Sequence, residues 1–160
     1  MKKTNAMRIL DGLNIKYEIQ EYEADTDHDL PKGAANRTAE ELGIEAGSVF
    51  KTIVFRTDTK EICVICESAE FEINPKKART VIGCKEINTV KPEELLSITG
   101  YIRGGCSPLG MKKKFRTFID ETALLYDKIH ISAGQRGIQI SINPEDLIKA
   151  TDATLCDLTL

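Results

Sequence analysis

An α+β fold is predicted, a mixed sheet with short helices on its flanks. Three observations predict it. Runs of β-branched and aromatic residues, Val49–Phe55 above all, recur with strand-like character. Between them stand Asn74-Pro75 and Asn143-Pro144, where a capping asparagine precedes a proline suited to the first helical position. The turn residues Asp58–Lys60 separate two strand runs and make them a hairpin. At 160 residues and 41% hydrophobic, one domain over 1–160 is expected, large enough to bury about two-thirds of its unfolded surface.

The elements follow in order. Thr4 or Asn5 caps a first helix that runs to Leu13, with Met7, Leu10 and Leu13 on one face. Tyr17–Tyr22 alternates as a strand. Asp25–Asn36, rich in Asp, Gly and Pro, reads as a loop, and Thr38–Leu42 as a short helix that closes before Gly47. Val49–Phe55 and Glu61–Cys66 form the hairpin. Asn74-Pro75 opens a helix to Ile82, and Lys91-Pro92-Glu93-Glu94 opens another. After a glycine-rich stretch, Thr117–Asp120, Lys128–Ser132 and Ile138–Ile142 read as strands. Asn143-Pro144 starts the last helix, and Thr154–Asp157 is a short final strand.

Charge is uneven along a chain whose net charge is −3. Residues 18–48 carry nine acids against Lys32 and Arg37, whereas residues 100–116 carry Arg103, Lys112, Lys113, Lys114 and Arg116 with no acid. A polyanion is attracted to the second stretch and repelled by the first. Nucleic acid is therefore expected to dock at one place rather than wrap the surface. No apolar run approaches the about 20 residues of a membrane span, and no signal-peptide stretch opens the chain, so a cytoplasmic protein without membrane contact is expected.

Five scattered cysteines argue against a disulfide framework. Cys63 and Cys66 lie three apart in a strand run, so they point to opposite faces and do not make a metal pair. No metal and no cofactor is expected.

Three segments stand out chemically. Gly100–Lys114 is punctuated by glycines and runs into Lys112, Lys113 and Lys114, which makes it either a backbone cradle for a ligand or a surface loop with a solvated lysine face. Lys51 interrupts an apolar strand, with Thr52 beside it; it either reaches the surface or holds a phosphate or carboxylate as a point charge. In Ser132-Ala133-Gly134-Gln135-Arg136-Gly137 a strand breaks and resumes. Together the three favour a binding pocket.

These segments, Phe50-Lys51-Thr52, Gly100-Tyr101-Ile102-Arg103-Gly104-Gly105-Cys106-Ser107-Pro108-Leu109-Gly110-Met111-Lys112-Lys113 and Ser132–Gly137, closely resemble the pattern of the YbaK/EbsC proteins. Those are free-standing relatives of the editing domain of bacterial prolyl-tRNA synthetases. The resemblance spans nearly the whole chain. It implies a compact, partly barrel-like mixed sheet flanked by helices. It also implies trans-editing, the deacylation of mischarged tRNA, chiefly cysteinyl-tRNA(Pro). Cysteine is close to proline in size, and a synthetase pocket gains only about 1–3 kcal/mol from one methylene, so a second site must remove the error.

By resemblance Lys51, Gly104, Gly105 and Ser132 form the catalytic set, with Tyr22, Thr52, Gly134, Arg136 and Gln139 binding the substrate. Arg103, Lys112, Lys113 and Lys114 would meet tRNA phosphates. Partners would be the aminoacylated 3′ end of tRNA and prolyl-tRNA synthetase. Gln139 departs from an aspartate common in cysteine-specific members, and an amide cannot act as a general base. The family's suggested route needs none, since the substrate's thiol attacks its own ester. The readings to be separated from it are a deacylase for alanyl-tRNA(Pro), Cys106 as a protein nucleophile, and a non-catalytic module that binds tRNA ends or nucleotides.

Overall fold

A computed structural model describes residues 2–23 and 39–160. The loop expected over Asp25–Asn36 and the start of the helix expected from Thr38 lie outside them. Residues 39–42 are helical.

Side-chain caps start the helices where the sequence signals them. Thr4 Oγ1 accepts from the Met7 N–H at 3.3 Å and opens α1 (Asn5–Gly12). Asn74 caps α2 (Pro75–Ile82), accepting from Lys76 and Lys77, and Asn143 caps α4 (Pro144–Thr151), accepting from Glu145 and Asp146. Each such cap contributes about 1 kcal/mol. In α3 (Pro92–Thr99) Glu94 reaches back to the Lys91 N–H. Leu13 departs from expectation: it is the C-cap of α1 and 51% exposed, so the buried face is Ala6, Met7 and Leu10.

The strands are β1 (Glu18–Glu21), β2 (Phe50–Thr57), β3 (Ile62–Ser68), β4 (Ile87–Thr89), β5 (Arg116–Asp120), β6 (Ile129–Ser132), β7 (Ile138–Ile142) and β8 (Thr154–Cys156). They form two sheets, ordered β1-β7-β6 and β4-β2-β3-β5-β8. The β2–β3 hairpin is antiparallel, while β5 joins β3, and β8 joins β5, in parallel. A parallel bridge from Val49 to His130 links the two sheets at the start of β2. The barrel-like character is thus two open sheets meeting edge to edge.

Packing separates the sheet's two sides. Phe50, Cys66 and Ile119 lie in a core with α1, Leu109 and the isoleucines of β6 and β7. Phe55, Cys63, Ile65 and Phe118 face the other way, onto α2 and Leu158. Cys63 and Cys66 accordingly sit in different clusters, as period-two alternation requires.

Candidate functional site

Strand register assembles one polar row on the sheet side opposite the α1 core. Gln20 lies opposite Gln139, and Gln139 opposite Ser132. The Val49–His130 bridge is parallel, so two residues further along both strands bring Lys51 level with Ser132 on the same side. Lys51 in turn lies opposite Glu67. Gln139 and Ser132 lie on paired strands, and Lys51 stands on β2, which meets β6 at the Val49–His130 bridge two residues earlier. Tyr22 follows Gln20 by two, its N–H donating to Gly137 O at 2.9 Å, which puts it on the same side.

This row is under-satisfied. Among the described residues, the buried side-chain polar atoms without a partner are Gln20 Oε1, His130 Nδ1 and Gln139 Oε1. All three belong to this side, because His130 precedes Ser132 by two. Gln139 and His130 are only 6% and 7% exposed. Burial, with Lys128 nearby, lowers the His130 pKa, which favours the neutral ring. A cleft of about 370 Å³ opens beside it, lined by Glu45, Ser48, Tyr126, Asp127 and Lys128 among others.

Beside Lys51, on the neighbouring strand β3, lies a buried acid. Glu67 is fully buried, and burial followed by repulsion from Asp120 pushes its carboxyl up to about 7, against the Thr159 hydroxyl, the Ser68 N–H and Lys51. The Lys51 Nζ donates to Phe71 O at 2.9 Å.

The glycine loop packs on the other side of the sheet, where Leu109 joins the α1 core and Tyr101 and Cys106 cluster with Val54 and Val64, and it meets the β6–β7 turn at its Arg103–Gly105 limb. Gly105 packs so tightly on the β6–β7 turn that a Cβ would lie 3.0 Å from Gln135 Cα and 3.2 Å from Arg136 N, both backbone. Arg136 Nε donates to Arg103 O at 2.9 Å, tying turn to loop. Gly134 has φ 107°, and a Cβ there would lie 2.9 Å from the Tyr101 ring. Its N–H donates to Ser132 Oγ at 3.2 Å. Tyr101 Oη donates to Leu109 O at 2.6 Å, which fixes the far limb of the loop.

Register therefore puts Tyr22, Gln139, Ser132 and Lys51 on one side of the sheets, while Gly105 and Arg136 meet where loop and turn touch and Gly134 packs against Tyr101 on the α1 side. Thr52 faces the other side, against Cys66 Sγ at 4.0 Å. The lysines after the loop do not converge: Lys112 Nζ donates to Ser97 O at 3.4 Å, Lys114 pairs with Asp152 at 3.4 Å, and Lys113 is exposed. Sequence reasoning missed Gln20, His130 and Glu67. Gln20 and His130 stand two residues from Tyr22 and Ser132, and Glu67 lies opposite Lys51, relations readable only once the strands were paired. Cys106 is buried in the cluster with Tyr101, and that burial pushes its thiol up to about 12, the wrong direction for a nucleophile.

Among the described residues, no cluster of three or more His, Cys, Asp or Glu could hold a metal ion, and no helix is long and apolar enough to cross a membrane.

Residues 31–150 match the family described as "Aminoacyl-tRNA editing domain". The chain is 38% identical over 158 residues to the Enterococcus faecalis protein called "Putative Cys-tRNA(Pro)/Cys-tRNA(Cys) deacylase EbsC", covering 99% of this chain and 94% of the relative. It is 33% identical over 72 residues to a proline–tRNA ligase of Brachyspira hyodysenteriae, covering 45% of this chain and 12% of the ligase. A crystal structure described as "a putative trans-editing enzyme for prolyl tRNA synthetase" superposes with a TM-score of 0.82 at 23% identity, covering 100% of this chain and 99% of that one, which shows a shared fold. The chain belongs to the aminoacyl-tRNA editing domain family, the group to which its YbaK/EbsC motifs point.

Proposed function

We propose that the chain is a trans-editing deacylase for cysteinyl-tRNA(Pro), working as a single domain over 1–160 in the cytoplasm. The whole-length likeness to the Enterococcus protein carries this reading. The polar row supports it, since it offers donors and a lysine but, Glu67 apart, no acid. Glu67 is fully buried opposite Lys51 on the next strand. Gln139 can hydrogen-bond but cannot take a proton.

Chemistry that lets the substrate supply its own nucleophile suits such a site. The cysteine sulfur adds to its own ester carbonyl carbon. Collapse breaks the bond to the ribose oxygen, which leaves with the proton from the thiol, and water then opens the released thiolactone. Holding thiol and ester in one conformer lowers the barrier. Donors for the developing oxyanion matter more than a base, and the candidates are the amides of Gly104 and Gly105 with Ser132 and Lys51. The cleft beside His130, about 370 Å³ with Lys128 on its wall beside Glu45 and Asp127, has room for the terminal nucleoside. Arg103 and Lys112–Lys114 would meet phosphates further out. Likeness to part of proline–tRNA ligases supports a transient complex with prolyl-tRNA synthetase.

The test is amino-acid choice, measured by incubating the purified protein with labelled tRNA(Pro) carrying cysteine, alanine or proline. The expected result is rapid release of cysteine, slow release of alanine and no release of proline. Release of alanine ahead of cysteine would make it an alanine editor. Retained tRNA binding without any release would make it a binding module.

A further inference from the structure

Gln20 and Gln139 face each other across β1 and β7, and each has a side-chain carbonyl oxygen that is buried without a donor. Gln139 is 6% exposed. Unpaired buried acceptors are rare in folded proteins, and two opposite one another call for a ligand that brings N–H groups. Ser132 Oγ, next in the row, already accepts from the Gly134 N–H at 3.2 Å and has a second lone pair to offer.

We propose that Gln20 and Gln139, with Ser132 at the edge, form an acceptor site for the primary α-ammonium of the aminoacyl group, and that this site rejects the prolyl group. The identity of the ligand rests on the deacylase reading. A primary ammonium carries three N–H donors, enough for three acceptors. A prolyl group carries two donors and puts a methylene where the third would be. Bound there, it leaves one buried acceptor facing carbon. A site built to hydrogen-bond a substrate N–H discriminates far better than one that measures size. That matters because proline on tRNA(Pro) is the correct product and must survive. Gln20, which no family motif singled out, becomes a specificity-determining residue. In place of an anion that would hold either amine by charge, two neutral amides count hydrogens.

Two measurements test this apart from turnover. Binding is read by calorimetry with 3′-cysteinylamino-3′-deoxyadenosine, its analogue lacking the amine, and the prolyl counterpart. The wild type is expected to bind the primary amine about 10- to 100-fold tighter than either comparator. Gln20→Met and Gln139→Met, close in shape to glutamine, should each shrink that preference about tenfold. Gln20→Glu should bind both amines tighter and lose the discrimination between them. Deacylation of cysteinyl- and prolyl-tRNA(Pro) is then compared in the same variants, with thermal midpoints as the check on folding. Equal affinity of the wild type for amine and des-amine ligands overturns the proposal. So does an unchanged cysteine-to-proline ratio in folded Gln20→Met. Amine-selective binding without hydrolysis of any aminoacyl-tRNA would instead overturn the deacylase reading and leave the acceptor site standing.

Discussion

Glu67→Gln tests the electrostatics beside the row. Glu67 is fully buried and lies opposite Lys51, and its carboxyl is raised from an ordinary 4.5 to about 7. Burial is the largest cause and the Asp120 charge the second. Between those two pKa values the native state keeps a proton that the unfolded chain has released. Stability from this group is therefore full below 4.5, falls as pH rises, and levels off above about 7. At 1.36 kcal/mol for each tenfold change in acidity, the loss totals about 3 kcal/mol, with some 2–3 of it between pH 5 and pH 8. Glutamine keeps the shape and an acceptor for the Thr159 hydroxyl, which now donates to Glu67 at 3.1 Å, but does not titrate. The assay is urea unfolding of both proteins across pH 5–8. The variant should gain on the wild type by about 2–3 kcal/mol over that range, a shift in midpoint of about 1–2 M at an ordinary slope. A stability difference that stays flat with pH would refute the reasoning.

Two further outcomes follow from packing. Cys106→Ser should keep deacylation within about threefold of wild type, since a thiol pushed up to about 12 by burial is almost entirely protonated at neutral pH; loss of turnover with the melting midpoint unchanged would restore Cys106 as the nucleophile. Gly105→Ala places a methyl 3.0 Å from the Gln135 backbone and should cost about 1–3 kcal/mol of stability together with a fall in kcat/KM. An unfolding midpoint and kinetics equal to wild type would show that loop and turn are free to part.

Local chemistry made most of the fold legible. Thr4, Asn74 and Asn143 cap helices because a short side-chain oxygen is the cheapest partner for the first free N–H groups, and that preference is written in three or four residues. The Phe50–Thr57 and Ile62–Ser68 hairpin followed from β-branched runs about a short turn. Non-local pairing was not legible. Ile87–Thr89 is a three-residue strand that exists because it pairs with β2, and nothing in Ile-Asn-Thr alone requires that. The Val49–His130 bridge is likewise a contact across the chain, yet it sets which residues stand beside Lys51. Thr52 shows the consequence. Adjacency in sequence suggested a shared pocket with Lys51, and strand alternation sends it to the opposite side. Lys51, Ser132 and Gln139 could be named from motifs; Gln20, His130 and Glu67 needed the register.

The most direct test of the account is single-turnover deacylation of cysteinyl-tRNA(Pro) by the wild type and by Lys51→Ala, with unfolding midpoints measured alongside. The lysine sits mid-row between Ser132 and Glu67, and losing its charge next to the developing oxyanion should cut the rate about 100-fold or more. The fold should survive, because Lys51 is only partly buried. A folded Lys51→Ala protein that deacylates within threefold of the wild type, with roughly unchanged affinity, would contradict the placement of the reaction on this row.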